Sequence, residues 1–92
     1  MENKNNEKFN NQTLTLINRQ SLTITGITKV ISIKTDIIQL DSNNGGIIIL
    51  GNNLELKKFD NDNSMAEING LINNIKYLQG KEKESLFRKI FK

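Results

Sequence analysis

The chain has 92 residues, a formal net charge of +3, no cysteine and no histidine. A chain this short forms one small domain, and without cysteine neither disulfides nor thiolate-bound metal can supplement its core. No stretch approaches the roughly 20 apolar residues of a membrane-spanning helix. The polar N-terminus also lacks the apolar region of a secretory signal. We therefore expect a cytoplasmic protein.

Three zones follow one another along the chain. Residues 1–20 are mostly polar and predict a flexible N-terminal segment, in which the alternation of Leu14 and Leu16 indicates at most a marginal leading strand. Residues 21–78 are predicted to form a folded β domain. Residues 79–92 are predicted to be a tail, because Gly80 marks a natural break before a segment of different composition.

The middle zone repeats the two-residue period of β-strands. Alternating runs occupy residues 22–25, 30–34, 38–41, 54–57 and 66–72, and residues 47–50 form an unbroken apolar stretch typical of a strand covered on both faces. Residues 42–46 predict a hairpin turn, residues 51–53 a second turn and residues 60–64 a polar loop. The offset between Ile72 and Ile75 predicts a bulge near Asn73 and Asn74.

The turn signals stand about eight to twelve residues apart, which predicts an all-β fold. We expect a small antiparallel sheet arranged as a meander, a sandwich or a partly closed barrel. The absence of a crossover helix pattern argues against a parallel α/β sheet. A small β-solenoid is the alternative, since three short aliphatic runs each end in glycine, at Gly26, Gly51 and Gly70. Their unequal spacing favours the antiparallel sheet.

The residue types argue against catalysis. Without histidine and cysteine the usual nucleophile–base pairs and most transition-metal sites cannot form. Residues 60–64 begin like a calcium-binding loop, but Met65 stands where that loop needs glycine and Leu71 where it needs glutamate. A plain solvated turn is preferred. We expect no enzyme, no catalytic or metal site and no cofactor, and, without aromatic and basic residues interleaved on a sheet, no nucleic-acid partner.

The tail carries the whole charge excess, with five basic and two acidic side chains in residues 81–92. Its apolar residues recur at helical spacing beside basic residues, which predicts a short basic amphipathic helix. An isolated helix of this length is marginally stable, so the helix needs a surface that buries its apolar stripe. That surface is the protein's own sheet, a groove of a partner protein or the membrane interface. The predicted contact residues are Leu86, Phe87, Arg88, Lys89, Ile90, Phe91 and Lys92.

The order and spacing of these elements resemble the YabP family of sporulation proteins. The C-terminal residues 86–92 also resemble the phenylalanine-rich basic ending of that family, whereas the related YqfC group shares the body pattern but has a different leader. The matching pieces are Leu22-Thr-Ile-Thr-Gly26-Ile27, Val30-x-Ser32, Ile38-x-Leu40, Gly46-Ile-Ile-Ile-Leu-Gly51-Asn-Asn-Leu54, Leu56, Phe59 and Ile68-x-Gly70-x-Ile72-x-x-Ile75-x-Tyr77.

The resemblance implies a structural protein made during endospore formation, on the mother-cell side of the developing spore, that acts in coat or cortex assembly. It offers no catalytic residues. The family's glycines match Gly26, Gly46, Gly51 and Gly70, which we expect to serve turns and backbone geometry. Residues 34–36 are nearly neutral where family members often have an acidic stretch, so a contact made there would differ in this chain.

Surplus aliphatic surface predicts self-association. Residues 47–50 and the pair Leu71-Ile72 place apolar groups on both faces of their strands, and a domain this small has difficulty covering two faces. We expect a homo-oligomer, by default a C₂ dimer, that also binds other sporulation proteins, some of them membrane-bound. The alternative is a peripheral membrane adaptor that docks through its basic tail.

Overall fold

The computed structural model describes residues 11–78, which form one open antiparallel sheet of six strands. The order of the strands across the sheet is β1-β2-β6-β5-β4-β3. All pairings are antiparallel, so the all-β prediction is confirmed and the solenoid alternative is wrong. The strands are β1 (Leu14–Ile17), β2 (Ser21–Thr25), β3 (Ile27–Ile33), β4 (Ile37–Ser42), β5 (Gly45–Asp60) and β6 (Met65–Leu78).

The two longest strands, β5 and β6, form a ribbon whose halves carry different neighbours. β4 pairs with the first half of β5, from Gly45 to Leu50, whereas β2 pairs with the first half of β6, from Met65 to Asn69. The two halves fold against each other, because side chains of both belong to a single core. Its fully buried members are Leu22, Ile24, Ile38, Leu40, Ile47, Ile49, Ala66 and Ile68.

The ribbon bends where β5 has more residues than β6. Between two regular pairs, Asn53 and Leu54 of β5 stand opposite Gly70 alone, which defines a β-bulge. Asn53 has a φ of 55° and Gly70 a φ of 127°, a value that side-chain-bearing residues rarely adopt. The bulge turns the Leu54 side chain into the core, where it is 4 % exposed. The turn predicted at residues 51–53 is therefore wrong, since this segment bends a continuous strand.

Two other local predictions are confirmed. The register jumps from Leu50 opposite Asn74 to Gly51 opposite Ile72, which leaves Asn73 as the extra residue of the predicted bulge. The predicted hairpin turn lies at Asn43 and Asn44 between β4 and β5. Its chain reversal is held by the Ser42 hydroxyl, which donates to the carbonyl oxygen of Gly45 at 2.6 Å and accepts from the amide of Asn44 at 3.1 Å.

The first strand of the sheet lies outside the predicted β domain of residues 21–78. The sheet begins with β1 at Leu14, before the boundary predicted at Ser21, because β1 pairs with β2 through a turn in which Asn18 and Arg19 have positive φ. The predicted tail helix falls in residues 79–92, outside the described residues. Within residues 11–78 there is no helix long and apolar enough to cross a membrane.

Candidate interaction surface

One end of the sheet, strand β1, presents an apolar and uncharged edge. Leu14, Leu16 and Ile17 are 36, 39 and 56 % exposed, and the strand contains no charged residue or proline. Charged side chains, proline and bulges are the usual protections of an edge strand, and an edge without them is a template for pairing with another strand. β1 therefore has the properties of a strand that accepts a partner.

The backbone of β1 is also directed toward its free side. The amide of Thr25 in β2 donates to the carbonyl oxygen of Thr13 at 3.0 Å. In an antiparallel ladder, successive residues of one strand direct their backbone groups to opposite sides. The N–H and C=O groups of Leu14 and Leu16 consequently point away from β2, where an incoming strand would meet them.

The opposite end of the sheet is built differently. β3 carries the exposed Lys29, and its pairing with β4 is irregular between Ile27 and Lys29 and again between Val30 and Ser32. An edge lysine and register irregularities both discourage the addition of another strand. The two edges are thus unequal, and β1 is the edge suited to association.

A groove separates β1 from the second half of β6. The residues that line it are Leu16, Arg19, Ile72, Asn73, Asn74 and Ile75. Leu16 pairs with Leu22 and Ile75 pairs with Ile49, and both pairing partners belong to the core. Because paired residues of neighbouring strands face the same side of a sheet, Leu16 and Ile75 give the groove an apolar floor continuous with the core.

Hydrogen bonds hold the groove at both ends. At one end the Tyr77 hydroxyl donates to Gln12 Oε1 at 2.9 Å. At the other end Arg19 donates from Nε to the carbonyl oxygen of Ile72 at 3.2 Å and from Nη2 to Asn73 Oδ1 at 2.8 Å. The bulge in β6 is what brings Asn73 to the arginine. These three hydrogen bonds therefore set the distance between β1 and the second half of β6.

Gln12 connects the start of β1 to three parts of the fold. Its Nε2 donates to the carbonyl oxygen of Thr25 at 3.0 Å, while its Oε1 accepts from Tyr77 and, at 3.5 Å, from Asn44 Nδ2. Sequence reasoning missed Gln12 and Tyr77, because a glutamine within a polar segment carries no signal and its partner lies 65 residues away. The apolar alternation at Leu14 and Leu16 was the available signal for β1.

In the loop between β5 and β6, the acidic side chain of Asp60 accepts hydrogen bonds from within the loop. Asp60 accepts hydrogen bonds from the amides of Asp62 and Asn63 at 3.1 and 3.2 Å, and from Asn63 Nδ2 at 2.8 Å. The Asn63 side chain above all holds the pKa of Asp60 below its ordinary value. Among residues 11–78 no three acidic side chains stand close enough to hold a metal ion. The loop is therefore a turn in which the Asp60 carboxylate caps the backbone amides of Asp62 and Asn63.

Replacing Asn63 with alanine should raise the pKa of Asp60 toward its ordinary value, because it removes the side-chain hydrogen bond that lowers this pKa most. Because the folded-state pKa is lowered, these hydrogen bonds stabilise the protein above the unfolded-state pKa, and this contribution disappears as the pH falls through the folded value. An NMR titration of the Asp60 carboxyl carbon measures the change. Asn61→Ala is the matched control and should leave the titration unchanged. An unmoved pKa in Asn63→Ala would contradict the role given to the Asn63 side chain.

Of the four glycines expected to serve turns, one lies between two strands and three lie within strands. Gly26, with a φ of 75°, is the single residue between β2 and β3, so it carries the chain from one half of the sheet to the other. Gly46 and Gly51 lie within β5 and Gly70 lies within β6. The predicted tail contacts, Leu86, Phe87, Arg88, Lys89, Ile90, Phe91 and Lys92, lie outside the described residues.

Within residues 11–78, fold and surface define a small all-β sheet in which no described strand pairs with the outer edge of β1. The sequence profile of the YabP family matches residues 8–84, and the chain belongs to the YabP family. The match spans β1, the groove and the rest of the described sheet, and it confirms the resemblance seen in the sequence. Membership in this family indicates a sporulation-related protein. None of the curated proteins compared with this chain matches it.

Proposed function

We propose that this protein is a non-enzymatic structural component of endospore assembly that works by adding strands at its β1 edge. The observation that carries the proposal is the outer edge of β1, which pairs with no other strand of residues 11–78, exposes Leu14 and Leu16 and carries no charge. Addition of a strand gives affinity through main-chain hydrogen bonds, while alternate side chains enter neighbouring pockets. The groove floored by Leu16 and Ile75 is such a pocket.

The first partner is a second copy of the chain. Two β1 strands related by a two-fold axis pair antiparallel and join their sheets into one, which removes the exposed leucines of both copies from water. The lysine and irregularities of β3 prevent further growth at the other edge, so association closes at the dimer. Other sporulation proteins, some of them membrane-bound, would compete for the same edge.

The setting is the mother-cell cytoplasm, in assembly of the spore coat or cortex. Membership in the YabP family supports a place in sporulation, and a dimer with two identical outer surfaces suits assembly because it can connect two partners. The sequence supports a role without catalysis, since it contains no histidine or cysteine for nucleophilic or general-base chemistry. We expect neither a cofactor nor a nucleic-acid partner.

Replacing Leu16 with lysine should raise the dissociation constant of the dimer at least tenfold, equivalent to about 1.4 kcal/mol. The substitution places an ammonium group where the paired strands exclude water, so the dimer loses apolar contact and must desolvate a charge. Sedimentation velocity over a wide range of protein concentrations measures the constant. Circular dichroism checks that the variant keeps its sheet.

The matched control is Leu71→Lys. Leu71 is 39 % exposed, as Leu16 is, but it lies in β6 beside the bend rather than at the β1 edge. The control should dimerise like the unchanged protein. A protein that stays monomeric at high concentration, or equal weakening by both substitutions, would refute association through β1.

The second candidate function is a peripheral membrane adaptor that uses the tail. The feature that favours it is the basic amphipathic pattern of residues 81–92. Such a helix binds anionic lipid only while its apolar stripe is free. Packing of the stripe on the protein's own sheet would therefore argue against the adaptor function, whereas the β1 proposal does not depend on it.

A further inference from the structure

The β4–β5 ladder buries side chains on both of its faces. Alternate residues, such as Leu40 and Ile47, point into the core. The residues between them, such as Gln39 and its partner Ile48, point to the opposite face, which we call the outer face. Leu78 of β6 pairs with Gly46 and lies on this face too. The outer face is defined by Ile37, Gln39, Ile48, Leu50 and Leu78.

The outer face is shielded from water although one layer of sheet cannot cover itself. Ile48 is 1 % exposed, Leu78 is 2 % exposed and Ile37 is 9 % exposed. These residues and Leu50 form an apolar cluster separate from the core. Within residues 11–78, that cluster has no member from β1, β2 or β3. The described strands thus supply the floor of a docking site and not its cover.

A polar group in this floor also needs a partner. Gln39 is fully buried, and neither its Nε2 nor its Oε1 has a hydrogen-bond partner among residues 11–78. A buried amide with unpaired atoms is costly, so side chains of this kind normally meet a donor or acceptor. The occupant of the outer face should therefore combine apolar side chains with hydrogen-bonding groups.

We propose that the outer face is the docking site of the chain's own residues 79–92. The last described residue, Leu78, lies on this face, so residue 79 is covalently attached to a residue of the site itself. As a helix the tail would extend about 21 Å, whereas crossing from β6 to β4 requires about 10 Å. The apolar stripe of the tail matches the apolar floor, and its lysine and serine side chains offer donors to Gln39.

The other end of the chain fits this face poorly. Residues 1–10 contain two apolar side chains, Met1 and Phe9. They lead into Gln12, which is hydrogen-bonded to Tyr77. Tyr77 pairs with the core residue Ile47, so its side chain lies on the face opposite to Leu78. Gln12, which follows the N-terminal segment closely in the sequence, therefore contacts the groove side of the sheet and not the outer face.

Docking in this way gives the tail a structural role independent of the β1 edge. The sheet gains a second layer on the outer face, while β1 and the groove remain accessible. The stripe then contacts Ile48 and Leu78 rather than lipid. Failure of self-association through β1 would leave this inference intact, and its own failure would leave the β1 proposal intact.

Disulfide cross-linking of the full chain tests the docking, because the natural sequence has no cysteine. Lys76 pairs with Ile48 and is exposed, so Lys76→Cys places a thiol at the rim of the outer face. A second cysteine is placed at one position at a time from 84 to 91. A disulfide forms when the two Cα atoms come within about 7 Å. The control series replaces Lys76→Cys with Glu55→Cys, at an exposed position on the other half of β5.

The expected result is an intramolecular disulfide in the Lys76→Cys series, strongest at positions three or four residues apart and at least tenfold faster than in the Glu55→Cys series. Phosphatidylglycerol vesicles should leave this rate unchanged. Bonds only between chains would assign the face to a second copy and overturn the proposal. Equal rates in the two series, or suppression by the vesicles, would also overturn it.

Discussion

Replacing Gly51 with alanine should destabilise the protein by roughly 3–5 kcal/mol. A Cβ atom at this position would overlap the backbone carbonyl oxygen of Leu71 and approach Leu54 Cδ2 at 3.0 Å. The carbonyl belongs to the β5–β6 ladder and cannot move without disturbing the bend. A domain of this length has a total stability of about 5–14 kcal/mol, so the substitution removes a large share of it.

Urea denaturation followed by circular dichroism measures the loss. The matched control is Asn52→Ala, at the adjacent exposed position of the same strand, which should change the free energy of unfolding by no more than about 0.5 kcal/mol. A loss below about 1 kcal/mol in Gly51→Ala would show that the bend yields readily. The close approach of β5 and β6 would then not be a requirement of the fold.

Replacing Ile48 with alanine should cost about 2–5 kcal/mol, as much as the same substitution of its neighbour Ile47. The two side chains point to opposite faces, yet Ile47 is fully buried and Ile48 is 1 % exposed. An isoleucine on a solvent-facing strand surface would lose far less, because truncation there removes little buried area and leaves no cavity. Equal costs would identify the outer face as a second core.

The comparison needs an exposed isoleucine in the same sheet. Ile33, 46 % exposed near the end of β3, provides it, and Ile33→Ala should cost less than about 1 kcal/mol. Unfolding in urea, with all three variants in the full chain, gives the three values. If Ile48→Ala behaves like Ile33→Ala, the outer face is open to water in solution and no segment covers it.

The difference between the two edges of the sheet limits the assembly that we propose. A sheet with two unprotected edges would continue to add copies, which is the route to open filaments. In this sheet Lys29 and the irregular register protect β3, whereas β1 has neither feature. The proposed pairing of two β1 strands about a two-fold axis would use the edge of each copy that can accept a strand and would therefore end at a dimer. Limited association of this kind suits a protein that connects partners within a larger structure.

The candidate surface could be predicted from the sequence only in part. The apolar alternation at Leu14 and Leu16 is visible in the sequence, but a strand of four residues within a polar segment carries only a weak signal. Nothing local identifies Gln12, Arg19 and Tyr77 as the residues that position β1. Their contacts join parts of the chain 53 to 65 residues apart, and such distances leave no periodic pattern in a sequence.

Local patterns along the chain were enough to predict the all-β class, the hairpin at Asn43 and Asn44, the bulge at Asn73 and, through ordered motifs, the YabP family. These properties follow from side-chain alternation and turn chemistry, which act over a few residues. Long-range pairing established the rest, namely that residues 51–53 bend a strand, that β2 pairs with β6, and that β1 is the exposed edge. The physical reason is that a segment of glycine and asparagine suits a turn or a bulge equally well until a distant strand supplies its hydrogen-bond partners.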